Sequence, residues 1–126
     1  MIVTSTLSNF ISNLKNHYSS KKLILKQKKT KQIIQLADLL VTEGLICGYY
    51  FVKNNIIILL KYNKDKPGIY DIKIISRPGK RIYVNNKWIY KNNDKVIYIL
   101  STQKGFLTKY KAQELNMGGE LICQIN

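Results

Sequence analysis

Val96-Ile97-Tyr98-Ile99-Leu100-Ser101-Thr102-Gln103-Lys104-Gly105 is the stretch whose reading decides the fold. An unbroken apolar run of this length has the character of a buried strand. Hydroxyls, an amide, an ammonium and a glycine follow, so the strand is expected to end in a short polar loop. Such a loop can offer several hydrogen-bonding groups with little bulk. The plainer reading is an ordinary hairpin or strand-to-helix turn. Downstream, Thr108 is placed to cap a short helix through Glu114 or Leu115. Gly118-Gly119-Glu120 then opens a last strand through Leu121-Ile122-Cys123-Gln124-Ile125.

Upstream, Ser76-Arg77-Pro78-Gly79 predicts a type II turn between strands at 69–75 and 81–84. Asn85-Asn86 and Asn92-Asn93-Asp94 read as loops. In the N-terminal half, Leu7, Phe10, Ile11, Leu14 and Tyr18 have helical spacing, with Thr4 or Ser5 as cap. A short strand at 23–25 follows. Thr30 caps a second helix whose buried stripe is Ile33, Leu36, Ala37, Leu40 and Val41, and Gly44 stops it. Strands at 45–53 and 56–62 form a hairpin on Asn54-Asn55. Lys64-Asp65-Lys66-Pro67-Gly68 punctuates the chain. The expected fold is therefore α/β in the α+β sense, with two small lobes. An N-terminal α-β-α-β-β lobe covers 1–66, and a β-rich lobe with one short helix covers 67–126. Each is small enough to be marginal alone, so a shared packed interface is expected.

The chain of 126 residues carries a net charge of +14, from 21 basic and 7 acidic side chains. That excess repels itself unless a polyanion neutralises it. It is also concentrated: Lys15, Lys21, Lys22, Lys26, Lys28, Lys29 and Lys31 all precede the first acid, Asp38. Such a run suits phosphate contact that weakens steeply with salt. Arg77 and Arg81 are the only arginines, and they flank the Pro-Gly turn. Arginine forks onto two acceptors where lysine acts as a point charge.

Other classes lack their parts. No apolar run is long enough for a membrane span, and the N-terminus has no signal-peptide pattern. The chain is expected to work where it is made, away from membranes. Cys47 and Cys123 read as buried thiols outside any disulfide. With His17 as the single histidine, no Cys/His metal spacing can be built. Neither metal nor cofactor is expected. The acids Asp38, Glu43, Asp65, Asp71, Asp94, Glu114 and Glu120 are scattered, and nothing resembles a nucleophile elbow. His17 reads as a surface cap or a phosphate neighbour. No enzyme and no small-molecule substrate are expected.

Ser101-Thr102-x-Lys104-Gly105-x-x-Thr108, followed by Gly118-Gly119-Glu120-x-x-Cys123, resembles the C-terminal signature of bacterial-type ribosomal protein S8 of the small subunit. Ser76-x-Pro78-Gly79-x-Arg81-x-Tyr83, Glu43-Gly44-x-Ile46 and Leu14-Lys15-Asn16 are similar to further segments of that family, in the same order. The resemblance covers essentially the whole chain. It implies a two-lobed protein, monomeric within its particle, whose partners are small-subunit rRNA and neighbouring ribosomal proteins. It would bind a helical region of the rRNA central domain and support assembly. The resemblance also implies that Ser101, Thr102 and Gly105 enter the RNA minor groove, that Tyr83 lies near that surface, and that Glu120 braces the loop.

Beside these, Gln103 and Lys104 in the loop, Arg77, Lys80 and Arg81 at the turn, and Lys15, Asn16, Lys28, Lys29 and Lys31 are read as RNA contacts. Gln103 stands where the family has a third short hydroxyl. Thr4 and Ser5 replace its acidic helix start, and Asn126 replaces its terminal aromatic residue. The Ile-, Lys-, Asn- and Tyr-rich composition points to an organelle-encoded, mitochondrial member, with a bacterial cytoplasm or a plastid as the alternative. Two rival functions use the same residues: repression of a ribosomal-protein mRNA, and hydrolysis of RNA.

Overall fold

The computed structural model describes residues 5–77, 79–85, 87–88 and 96–126. It resolves into two compact units, one of residues 9–70 and the other of 71–126 together with the residues up to Ser8. The break falls between Tyr70 and Asp71.

The spacing of apolar residues produces helix α1 (Ser5–Ser19), which belongs to the 9–70 unit from Asn9 onward, with Phe10, Ile11, Leu14 and Tyr18 all buried. Strand β1 (Ile24–Lys28) leads to Thr30, whose hydroxyl accepts from Ile33 N at 3.2 Å and caps α2 (Lys31–Thr42). Ile33, Leu36, Ala37 and Leu40 form the buried stripe. Val41 does not join it and is 37% exposed, because one further residue rotates it off the apolar face. Gly44, at φ +74, follows the C-cap Glu43 as expected.

Strands β2 (Ile46–Val52) and β3 (Asn55–Leu60) join β1 in an antiparallel sheet of order β1-β3-β2. Their turn is Lys53-Asn54, not Asn54-Asn55. Asn55 is already in the ladder, opposite both Lys28 and Val52. A bulge between Ile46 and Gly48 turns Cys47 outward, so this thiol is exposed rather than buried. Two short strands, β4 (Tyr62–Asn63) and β5 (Lys66–Pro67), pair with each other beyond β3.

Tyr18 ties this unit together. Its hydroxyl donates to Leu45 O at 2.7 Å and accepts from Lys61 N at 3.0 Å. Burial pushes its pKa up to about 12. The folded state therefore keeps the proton that the unfolded chain releases near pH 10. Stability from this group is complete below that value and is lost between pH 10 and about 12. Tyr18→Phe is expected to cost about 1–3 kcal/mol at neutral pH by urea titration. It should also flatten the loss of stability over that alkaline window.

The 71–126 unit is built on an antiparallel sheet. Strands β6 (Ile72–Ile74), β8 (Ile97–Thr102), β9 (Gly105–Thr108) and β10 (Gly119–Ile125) take the order β6-β10-β8-β9. Strand β7 (Tyr83–Val84) also pairs with β10. Tyr98, Leu100, Ala112 and Leu121 form the core, with Ile75, Val84, Trp88, Val96 and Leu107 packed against it. Thr108 caps helix α3 (Lys109–Glu114), its hydroxyl accepting from Lys111 N at 3.3 Å.

Strand β10 carries a bulge between Leu121 and Cys123. There Ile122 O accepts from both Ile75 N (2.9 Å) and Ser76 N (3.3 Å). That shared carbonyl ends regular pairing on the β6 side, and β6 and β7 are shorter than the expected 69–75 and 81–84. Thr4, Pro78, Asn86, Ile89, Tyr90 and the expected loop at 92–94 lie outside the described residues.

Candidate nucleic-acid interface

The ladder of the 71–126 unit assembles one row of side chains that the sequence does not display. Tyr83 of β7 lies opposite Glu120 of β10, Glu120 opposite Ser101 of β8, and Ser101 opposite Phe106 of β9. Directly paired residues point to the same face. The row runs from an exposed aromatic ring, Tyr83 at 67% exposure, to a buried carboxylate and a buried hydroxyl, Glu120 at 1% and Ser101 at 5%. Neither oxygen of the Glu120 carboxylate has a hydrogen-bond partner, nor has Ser101 Oγ. Unpaired buried polar groups are rare in folded proteins because each costs free energy.

Two features of the expected loop change. Ser101 and Thr102 belong to β8, which continues through them because they pair with Phe106 and Gly105. Only Gln103 and Lys104 form the exposed hairpin tip. Thr102 uses its hydroxyl to close that tip, donating to Gly105 O at 2.9 Å and accepting from Lys104 N at 3.1 Å. This is the side-chain-to-backbone turn typical of threonine. Gly105 sits at φ +100 with open space where a Cβ would be, so glycine meets a conformational demand there.

Gly119 answers a spatial demand instead: a Cβ on it would lie 2.4 Å from Ser101 O and 3.0 Å from Thr102 Cγ2. This close approach of β10 to β8 holds Glu120 beside Ser101. The carboxylate does not bond the hydroxyl, so the bracing expected of Glu120 comes from the backbone ladder and not from its side chain.

The basic turn is a tight hairpin. Arg77 and Lys80 exchange backbone hydrogen bonds of 3.0 and 2.9 Å, and both side chains are exposed, while Arg81 is half-buried. At its base, fully buried Ser76 accepts from Ile82 N at 2.9 Å and donates to Ile82 O at 3.3 Å. Sequence reading gave Ser76 only a place in a turn. The small hydroxyl immediately before Arg77-Pro78-Gly79 was the available signal for a clamp. Ser76→Ala is expected to cost about 1–3 kcal/mol by urea titration, since it leaves Ile82 N without its partner.

The remaining basic residues lie in the 9–70 unit. Lys15 and Asn16 are exposed on α1. Lys28, Lys29 and Lys31 surround the capped start of α2, where the first turn holds no acid. Lys29 Nζ stands 5.0 Å from the Phe51 ring centroid, and Lys29 N donates to Asn54 O at 2.8 Å. These contacts set Lys29 beside the Lys53-Asn54 turn. The partial positive charge of the helix terminus adds to that of the lysines. His17 directs Nδ1 to Asn13 O at 2.7 Å, a contact within α1. Among the described residues, no cluster of His, Cys, Asp or Glu is arranged to hold a metal ion.

Comparison with known proteins places the chain in a family. The family described as Ribosomal protein S8 matches residues 5–126. "Small ribosomal subunit protein uS8" of Bartonella bacilliformis is 37% identical over 131 aligned positions, covering 99% of each chain. "Small ribosomal subunit protein uS8m" of Acanthamoeba castellanii is 37% identical over 126 positions, covering 97% of this chain and 99% of its own. "Small ribosomal subunit protein uS8c" of Phaeodactylum tricornutum is 34% identical over 131 positions, covering 98% and 99%.

Proposed function

The chain belongs to the ribosomal protein S8 family, whose role is structural and not enzymatic, and from that premise we propose that it binds a helical region of the small-subunit rRNA central domain and supports assembly there. The observation that carries the reading is the Tyr83-Glu120-Ser101 row, with its unpaired carboxylate and hydroxyl beside the Gln103-Lys104 tip. Both groups are sealed from solvent in the free chain, so this reading requires the side chains that cover them to shift on docking, after which base edges and sugar hydroxyls in the wide, shallow minor groove of RNA supply the donors and acceptors they lack. Tyr83 packs on a sugar or a base. Arg77, Lys80, Arg81 and Lys104 hold phosphates on the same unit. On the 9–70 unit, Lys15, Asn16, Lys28, Lys29 and Lys31 are separate contacts to RNA phosphates. Gly105 shapes the tip, and Thr102 keeps it closed. The net charge of +14 supplies the long-range attraction.

Filter binding to a central-domain rRNA fragment tests this. Affinity is expected to fall steeply with salt. Ser101→Ala should weaken binding to that fragment by about tenfold while leaving binding to an unrelated duplex unchanged. Its fold should be as stable as wild type, because the lost hydroxyl had no partner. Thr102→Ala should instead destabilise the hairpin by about 1 kcal/mol. Wild-type affinity in Ser101→Ala would remove the row from the binding site. The compartment proposed is the mitochondrion. Finding the chain in small subunits of purified mitochondria tests that, and recovery from plastids or a bacterial cytoplasm would replace it.

A further inference from the structure

A cavity of about 220 Å³ lies in the 9–70 unit and shares no residue with the RNA contacts assigned above. Tyr18, Tyr62 and Tyr70 bring aromatic rings to it, Lys21 a cation and Asp65 a carboxylate. A second cavity of about 170 Å³ has Lys21, Tyr62 and Asp65 in common with the first and adds Leu23. Both are smaller than the ~300–1,000 Å³ of a site for a drug-sized ligand. The larger suits one planar ring system, and the smaller what is attached to it.

Two of the rings are fixed before anything binds. The Tyr18 hydroxyl is engaged by Leu45 O and Lys61 N, and the Tyr62 hydroxyl donates to Lys22 O at 2.5 Å. Their ring centroids stand 5.5 Å apart. Tyr70 is 66% exposed and keeps ring surface for a partner. Lys21 and Asp65 are exposed, and among the described residues neither side chain forms a hydrogen bond or an ion pair. Asp65 also stands where the backbone favours glycine. It and Lys64 are the central residues of the β4–β5 hairpin, at φ +68 and +52. Such a turn favours glycine at its second position, and a side chain there is held in the left-handed region at a cost. The carboxylate returns no local contact for that cost.

The chemistry selects the ligand. Aromatic rings stack planar bases, and Lys21 takes a phosphate as a point charge. A simple cation is disfavoured by Lys21, Lys22, Lys64 and Lys66 in the same two segments. A carboxylate only accepts hydrogen bonds, and does so through two oxygens. Guanine alone among the RNA bases has two adjacent donors on its pairing edge, N1–H and the 2-amino group. Adenine, cytosine and uracil each set a donor beside an acceptor. We propose that this cavity binds a guanine nucleotide, free or as an unpaired residue of RNA, with the base among the tyrosines, its two donors on Asp65 and its phosphate by Lys21.

Equilibrium dialysis of the full-length chain against GMP, AMP, CMP and UMP tests this at physiological ionic strength. GMP is expected to bind about tenfold tighter than the other three. Asp65→Asn sets a donor beside an acceptor while tolerating the same φ. Its urea midpoint should match wild type, its preference for GMP should vanish, and xanthosine monophosphate should bind about tenfold tighter than GMP. Tyr70→Ala should weaken GMP binding about tenfold. A uridine oligonucleotide with one guanosine, compared with the all-uridine strand, identifies the source. Preference for the guanosine strand, at an affinity above that of GMP, assigns RNA; equal binding of the two strands assigns the free nucleotide. Equal or undetectable binding of the four mononucleotides, or a guanine preference that survives in Asp65→Asn, would overturn the proposal. Affinity for the rRNA fragment rests on other residues, so neither result decides the other.

Discussion

Glu120→Met is expected to make the protein more stable and worse at binding its RNA. The side chain is 1% exposed and both carboxylate oxygens lack partners. An unsatisfied buried polar group costs about 1–3 kcal/mol, and more when charged. Methionine keeps nearly the same length without the desolvation cost. The urea midpoint should therefore rise with an unchanged slope, by the equivalent of about 1–3 kcal/mol. Hydrogen bonds to a charged group contribute about 1.5–3 kcal/mol, so affinity for the rRNA fragment should fall by about tenfold to a hundredfold. Such an opposition of stability and function is the mark of a group kept for a partner. A variant that loses stability while keeping its affinity would show that Glu120 serves the fold alone.

Gly119→Ala carries the largest expected effect on folding. Its new Cβ would lie 2.4 Å from Ser101 O, a backbone atom fixed in the β8–β10 ladder. The two strands would have to part at the register that places Glu120 beside Ser101. The expected cost is about 3 kcal/mol or more, a fall in Tm on the order of 10 °C by calorimetry. Gly105→Ala is the comparison. It meets no atom within 4 Å and suffers only from its φ of +100, for about 1 kcal/mol. Equal effects at the two positions would mean that close strand approach is not what Gly119 provides.

Much of this was legible in the sequence wherever a local rule decides the outcome. Thr30 and Thr108 cap helices because a hydroxyl before an amphipathic run has few competing uses. Continuous apolar runs became strands. Register was not legible, since it depends on which strands meet. Nothing local says that Tyr83, Glu120 and Ser101 share a row, or that β8 continues through Thr102. The turn-closing role of Thr102 was within reach, because a hydroxyl beside a Gln-Lys-Gly tip has a backbone N–H two residues on and a backbone carbonyl three residues on. Cys47 was misread because a bulge breaks the alternation that its apolar neighbours suggest. Val41 was misread because the edge of a helical stripe is set by what packs on it.

The bulge in β10 has a consequence for the basic turn. Glu120 pairs with Ser101 and Cys123 with Ile99, so both lie on one face although they are three positions apart. Removing Ile122 would leave that face assignment intact and give a smoother strand. It would also delete the carbonyl that receives Ile75 N and Ser76 N. The surplus residue thus acts as a mooring post: a mismatch in length between neighbouring strands is converted into a fixed bearing for the Arg77–Lys80 hairpin. A tidier sheet would set that pair of cations adrift.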